Sequence, residues 1–107
     1  MRKVTEKIAE ALARGRNKTV GNTATFDGAV YLHGNKIADW REDGLHMSLA
    51  GWNTPTTKDR LNGIAEFLGL NVRFTTKGGE AMLNGNKISD TQWHNVRKVH
   101  QNACINK

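Results

Sequence analysis

The sequence predicts an α+β fold in the order N-terminal helix, antiparallel β-meander, central helix, β-hairpin, C-terminal helix. Three observations predict it. Apolar residues recur with helical period near the start and again after residue 56, two-residue turn signals crowd the stretch between, and short alternating segments flank those turns. At 107 residues the chain has the length of a single domain, since halves of that size could not bury a stable core without staples. The expected parts are a basic N-terminal helix and loop over 1–20, the meander over 21–52, the central helix over 56–69, the hairpin over 70–90 and the last helix over 91–104.

Val4, Ile8, Ala11 and Leu12 share one stripe of the first helix, and Gly15 is a natural stop. Asp27-Gly28, Gly34-Asn35 and Asp43-Gly44 then favour the positive φ of tight hairpins, which implies about four strands. Val30 and Leu32 share a face, Leu45, Met47 and Leu49 form the clearest half-buried strand, and Trp40 is expected to pack across a strand pair. After the Gly51–Pro55 loop, Thr56-Thr57-Lys58-Asp59 reads as a helix start, with a Thr hydroxyl accepting from exposed amides and Asp59 complementing the positive helix end. Leu61, Ile64, Ala65 and Leu68 continue that helix to a C-cap at Gly69. Leu70, Val72 and Phe74 alternate with polar residues and turn at Gly78-Gly79 into Ala81-Met82-Leu83. Asp90 is the expected cap of the last helix, with Trp93, Val96, Val99 and Ala103 on its inner face.

The sequence also echoes itself. Leu32-His33-Gly34-Asn35-Lys36-Ile37-Ala38-Asp39 matches Leu83-Asn84-Gly85-Asn86-Lys87-Ile88-Ser89-Asp90. An internal α-β-β pseudo-repeat explains the match, and so does convergent use of one hairpin turn between apolar residues.

Charge is uneven. The net +6 arises from six Lys/Arg against Glu6 and Glu10 in 1–20, and from eight basic against four acidic residues in 58–107. Between them, Lys36 and Arg41 face Asp27, Asp39, Glu42 and Asp43. Basic ends favour a polyanionic partner, because Lys and Arg gain affinity by releasing counterions from phosphates. The lone Cys104 excludes an internal disulfide and a thiolate-rich zinc site, and fits a reducing cytosolic environment. No run nears the roughly 20 apolar residues of a membrane span, and the charged start does not resemble a signal peptide.

Catalytic constellations find no support. There is neither a GxxxxGK[ST] loop nor a GxGxxG turn, and His33, His46, His94 and His100 lack HxxxH or HExxH spacing. Ser48 lacks the flanking glycines of a nucleophile elbow, Cys104 lies near the terminus, and Asp39, Glu42 and Asp43 suit a solvated hairpin tip. The expectation is a protein that is not an enzyme, with no catalytic residue, no metal and no cofactor.

The strongest binding candidate is Ala50-Gly51-Trp52-Asn53-Thr54-Pro55-Thr56-Thr57-Lys58-Asp59-Arg60. Trp52 can stack on a base, while Thr54, Thr57, Lys58 and Arg60 at a helix start suit phosphate. The competing reading has Trp52 covering the core and the threonines merely capping the helix. Arg14, Arg16, Lys18, Arg97 and Lys98 on the basic ends are expected to converge with this segment on one docking face.

Tyr31-Leu32-His33-Gly34-Asn35-Lys36-Ile37-Ala38, then Gly44-Leu45-His46-Met47-Ser48-Leu49-Ala50-Gly51-Trp52 and Thr56-Thr57-Lys58-Asp59-Arg60-Leu61-Asn62, resemble a widespread group of small tailed-bacteriophage proteins. The resemblance covers most of residues 4–75 and reaches the second hairpin through Leu83-Asn84-Gly85. It implies a phage product in a bacterial cytosol and carries no catalytic residues over. Two partner classes follow: nucleic acid or a nucleoprotein complex, and alternatively a host defence complex, inhibited in the anti-CRISPR manner, or a transcription complex. A homo-oligomer is a third, structural reading.

Overall fold

The computed structural model describes residues 3–98, and the chain is α+β: two helices with antiparallel sheets. The first helix, α1, spans Lys3–Ala13 and buries Thr5, Ile8, Ala9, Ala11 and Leu12. It ends in a glycine cap: Gly15 takes φ +68°, its N–H donates to the Leu12 carbonyl at 3.2 Å, and Arg16 N–H donates to Ala11 at 2.8 Å. These bonds satisfy carbonyls that the helix itself cannot.

Five strands follow as a meander: β1 (Lys18–Val20), β2 (Thr23–Phe26), β3 (Ala29–Leu32), β4 (Asn35–Arg41) and β5 (Gly44–Met47). Asp27-Gly28 makes the expected turn, with φ of 51° and 79°. The other two turns sit one residue earlier than the sequence suggests. His33 and Gly34, at φ 51° and 80°, form the β3–β4 turn, and Glu42-Asp43 forms the β4–β5 turn, so Gly44 already belongs to β5. A bulge opposite Val30 and Tyr31 inserts Ile37 as an extra residue, which is why adjacent Ile37 and Ala38 are both buried.

The second helix, α2, spans Pro55–Phe67, and Thr54 rather than Thr56 or Thr57 caps it, accepting from Thr57 N–H. Proline at the first position loses no bond there. Gly69, at φ 71°, closes the other end as Gly15 closes α1: Gly69 N–H donates to Glu66 and Leu70 N–H to Ala65. The expected hairpin is a three-stranded sheet of β6 (Phe74–Lys77), β7 (Glu80–Leu83) and β8 (Asn86–Lys87). Residues 70–73 stay outside it. Asn62 on α2 extends this sheet like a strand, its amide donating to Phe74 O and accepting from Phe74 N–H.

The two echo segments adopt matching geometry. Asn84 and Gly85 take φ of 51° and 83°, close to His33 and Gly34. In β2–β3 and β6–β7 the pairs Thr23↔Leu32 and Phe26↔Ala29 become Phe74↔Leu83 and Lys77↔Glu80, one constant shift.

The helix expected over 91–104 is corrected. Residues His94–Lys98 form a strand, β9, paired antiparallel to β5, and positions 99–104 lie outside the described residues. The six-stranded sheet thus has the order β1-β2-β3-β4-β5-β9. Gly44 permits this pairing, since a Cβ there would stand 1.9 Å from the Arg97 carbonyl oxygen. The core joins Ile8 and Leu12 of α1 and Leu61 and Ile64 of α2 to Val30, Leu32, Ile37, Leu45, Met47, Leu49, Phe74 and Ala81.

Candidate functional site

Strand direction assigns the candidate residues to two ends of the larger sheet. Successive strands alternate, so the turns at 21–22 and 33–34 and the segment after β5 gather at one end. Residues 16–18, the turns at 27–28 and 42–43 and the finish of β9 gather at the other. Seven-residue β4 separates the ends by about 20 Å at some 3.3 Å per residue.

Trp52 lies at the first end. Ala50 and Gly51, both at positive φ, swing the chain off β5 toward α2, and Trp52 N–H donates to Leu49 O at 2.8 Å. The backbone is pinned while the indole stays 54% exposed, so it does not cover the core. Beside it is a cleft of about 320 Å³ lined by Leu32, His33, Asn35, Ile37, Trp52, Thr54, Thr56 and Thr57. Leu32 and the bulged Ile37 are buried in the core and form an apolar floor.

Thr54, Thr57 and both cations at the start of α2 are already engaged. Thr54 and Thr57 hydroxyls bond each other at 2.9 Å, and Thr57 is buried. Lys58 Nζ donates to Asn53 Oδ1 at 3.0 Å and to Thr76 Oγ1, tying α2 to β6. Arg60 is only 5% exposed: it donates to Thr23 Oγ1 at 3.0 Å, to Thr5 Oγ1 at 3.3 Å and to Asp59 at 2.9 Å. Its guanidinium joins α1, α2 and β2 from a buried position, so the expectation that Arg60 contacts phosphate is corrected: the side chain is enclosed by its own fold.

The basic ends do not meet Trp52, which corrects the expected single docking face. Arg97 and Lys98 close β9 at one edge of the sheet, and Lys18 opens β1 at the opposite edge, five strand spacings or roughly 24 Å away. Arg97 lies over the Trp40 ring at 5.7 Å, and Asn95 donates to Asp43 O beside it. Asp43, bonded to His46 at 2.7 Å, has its carboxyl held below the usual range by that bond. This corner therefore carries both signs.

Arg14, Arg16 and Lys18 do come together. The glycine cap folds Arg16 back over the end of α1, Thr25 Oγ1 donates to Arg16 O at 2.7 Å, and Lys18 N–H donates to Thr25 Oγ1 at 2.9 Å. Around this bend runs a cleft of about 220 Å³ lined by Lys7, Glu10, Ala11, Arg14, Arg16, Asn17 and Lys18. All four cations are exposed, and among the described residues none of them is in an ion pair. Glu10 is the one acid in the lining, with Asp27 in the adjoining turn. Carbonyls at the C-terminal end of α1 offset part of the mutual repulsion.

Sequence reasoning does not count Lys7, His33 or Asn35 among the binding residues. Lys7 precedes Ala11 by four and Arg14 by seven, a helical-face signal that was legible. His33 at positive φ depended on turn placement. Among the described residues no helix is long and apolar enough to cross a membrane.

The chain is thus a small α+β protein with, among the described residues, two helices, antiparallel sheets, and an aromatic cleft and a cationic cleft at opposite ends of one sheet. It belongs to the Kyanoviridae Gp96 protein family, a phage family whose model matches residues 1–101. No curated protein and no solved structure matches it.

Proposed function

We propose that this protein is a non-enzymatic phage binding protein that takes the phosphate backbone of nucleic acid, free or within a nucleoprotein complex, in the host bacterial cytosol. The cleft of Lys7, Arg14, Arg16 and Lys18 is the contact, and the observation that carries the reading is the gathering around one bend of four exposed cations, none of them in an ion pair among the described residues. Such cations bind polyphosphate by releasing its counterions, a sequence-independent attraction that requires no cofactor. We read the two helix-and-hairpin units as an internal pseudo-repeat in which only the first carries the cationic bend; the constant register shift supports this.

The test is affinity for generic DNA and RNA across a salt series. Affinity should fall steeply with salt, and the Arg14→Gln, Arg16→Gln, Lys18→Gln variant should make the slope shallower by about three, roughly one per lost phosphate contact. Absent binding, or binding flat with salt, overturns the proposal. Capture of a host protein that resists nuclease, in the absence of nucleic-acid affinity, would favour inhibition of a defence or transcription complex instead.

A further inference from the structure

We infer that the cleft beside Trp52 receives an unpaired base, with the indole as stacking platform and His33 as a positioned hydrogen-bond donor. The inference rests on the nucleic-acid reading and gives it a preference for single strands.

A hydrogen-bond chain fixes the histidine. A guanidinium can only donate, so Thr23 Oγ1 accepts from Arg60 Nε at 3.0 Å and gives its own proton to Asn22 Oδ1 at 2.8 Å. The Asn22 amide is thereby oriented with its NH₂ toward His33 Nε2 at 3.3 Å, which must accept. The ring proton then resides on Nδ1. Main-chain bonding holds the residue too, with His33 N–H donating to Asn22 O at 2.8 Å. Buried Arg60 thus acts on the cleft from behind, as a positioning residue.

The rest of the lining has the character of a base. Its floor of Leu32 and Ile37 and its wall of Trp52 are apolar, suiting a ring face. Its rim offers His33, Asn35 and Thr56, whose side-chain polar groups, apart from His33 Nε2, have no partner among the described residues. A hydrocarbon or phenyl group would leave that rim unmatched, whereas a base edge supplies acceptors and donors. Bases within a duplex keep their faces stacked, so only an unpaired one fits. Lys58 in the first turn of α2 contacts neutral acceptors, leaving its charge available to the strand's phosphates.

The experiment titrates the protein with an oligothymidylate of about 12 nucleotides, a length within single-strand site sizes, and with an abasic strand of equal length and charge. The base-bearing strand should bind about 5- to 150-fold tighter, the range of one base–aromatic stack. Trp52→Ala should erase that difference and Trp52→Phe should retain part of it, while both keep the salt slope. Equal binding of the two strands by the unaltered protein overturns this inference and leaves backbone binding standing. A base preference that survives Trp52→Ala overturns the assignment to this cleft. No binding of either strand overturns both proposals. Because the comparison of strands uses the unaltered protein, it does not depend on a variant folding.

Discussion

Replacing Arg60 by methionine separates a structural arginine from a ligand-binding one. The side chain makes three charge-assisted hydrogen bonds, two of them to the buried hydroxyls of Thr5 and Thr23. Hydrogen bonds to charged groups contribute about 1.5–3 kcal/mol each, and the contact to Thr5 at 3.3 Å belongs at the weak end. The Asp59 contact counts for less, since that carboxylate is 37% exposed and rehydrates when its partner leaves. Methionine fills much of the vacated stem volume, so the cavity contribution is small. The net loss should be about 2–4 kcal/mol, or roughly 10–30 °C in Tm for a domain of this size. Urea unfolding would read it as a lower midpoint at constant slope, and a double-mutant cycle with Thr23→Val should return a coupling of about 1–2 kcal/mol. Nucleic-acid affinity of the folded variant should keep its salt slope. A midpoint within about 0.5 kcal/mol of the unaltered protein, or intact stability with a slope reduced by one, would refute the reasoning.

Gly44→Ala should detach β9, since its Cβ would fall 1.9 Å from Arg97 O at a φ of 134° that side chains disfavour. Hydrogen exchange should then lose protection across β5–β9 while β2–β3 keeps theirs, and unchanged protection of β9 would contradict this. Acid should weaken the fold through His94, packed edge-on against Phe74 at 6.2 Å, whose pKa burial pushes below the ordinary 6.5. The unfolded chain takes up a proton there that the folded chain resists, so this contribution is full above about pH 6.5 and is lost as pH falls below it. Asp43, held below 3.8, has the opposite charge logic, and its contribution is lost only as pH falls through that lowered value. Urea midpoints at about pH 7.5 and about pH 5 should therefore differ less for His94→Phe than for the unaltered protein.

What could be read from the sequence was what neighbouring residues decide among themselves. The stripe of Ile8, Ala11 and Leu12, both glycine caps and the Asp27-Gly28 and Gly78-Gly79 turns are local, and the structure has each of them. The β3–β4 turn shifted because His33 adopts the left-handed region that Asn was expected to fill. Strand β9 is illegible in the sequence, because Trp93, Val96 and Val99 suit a helix as well and the deciding contact, Gly44 against Arg97, is 53 residues distant. The burial of Arg60 was partly readable. Thr57 and Arg60 lie four residues before Leu61 and Ile64, on the same inner stripe, but the charge of an arginine favours an outward position. The Trp52 cleft needed the bulge at Ile37, which no alternation of apolar and polar residues announces.

The strand order also decides which cations can act with Trp52. A ligand reaching from Arg16 and Lys18 to His33 needs only to follow β1 and β2 along the sheet, about 15 Å for four to five residues of strand. Arg97 and Lys98 instead sit beside the β4–β5 tip, at the end away from Trp52, where Glu42 and Asp43 repel phosphate and Arg97 lies over the Trp40 ring. On the nucleic-acid reading, then, a strand runs along the β1 edge and the basic C-terminal strand contributes little. Two clefts at that separation suit an extended chain of phosphates and bases rather than a single small anion, because no compact ligand touches both.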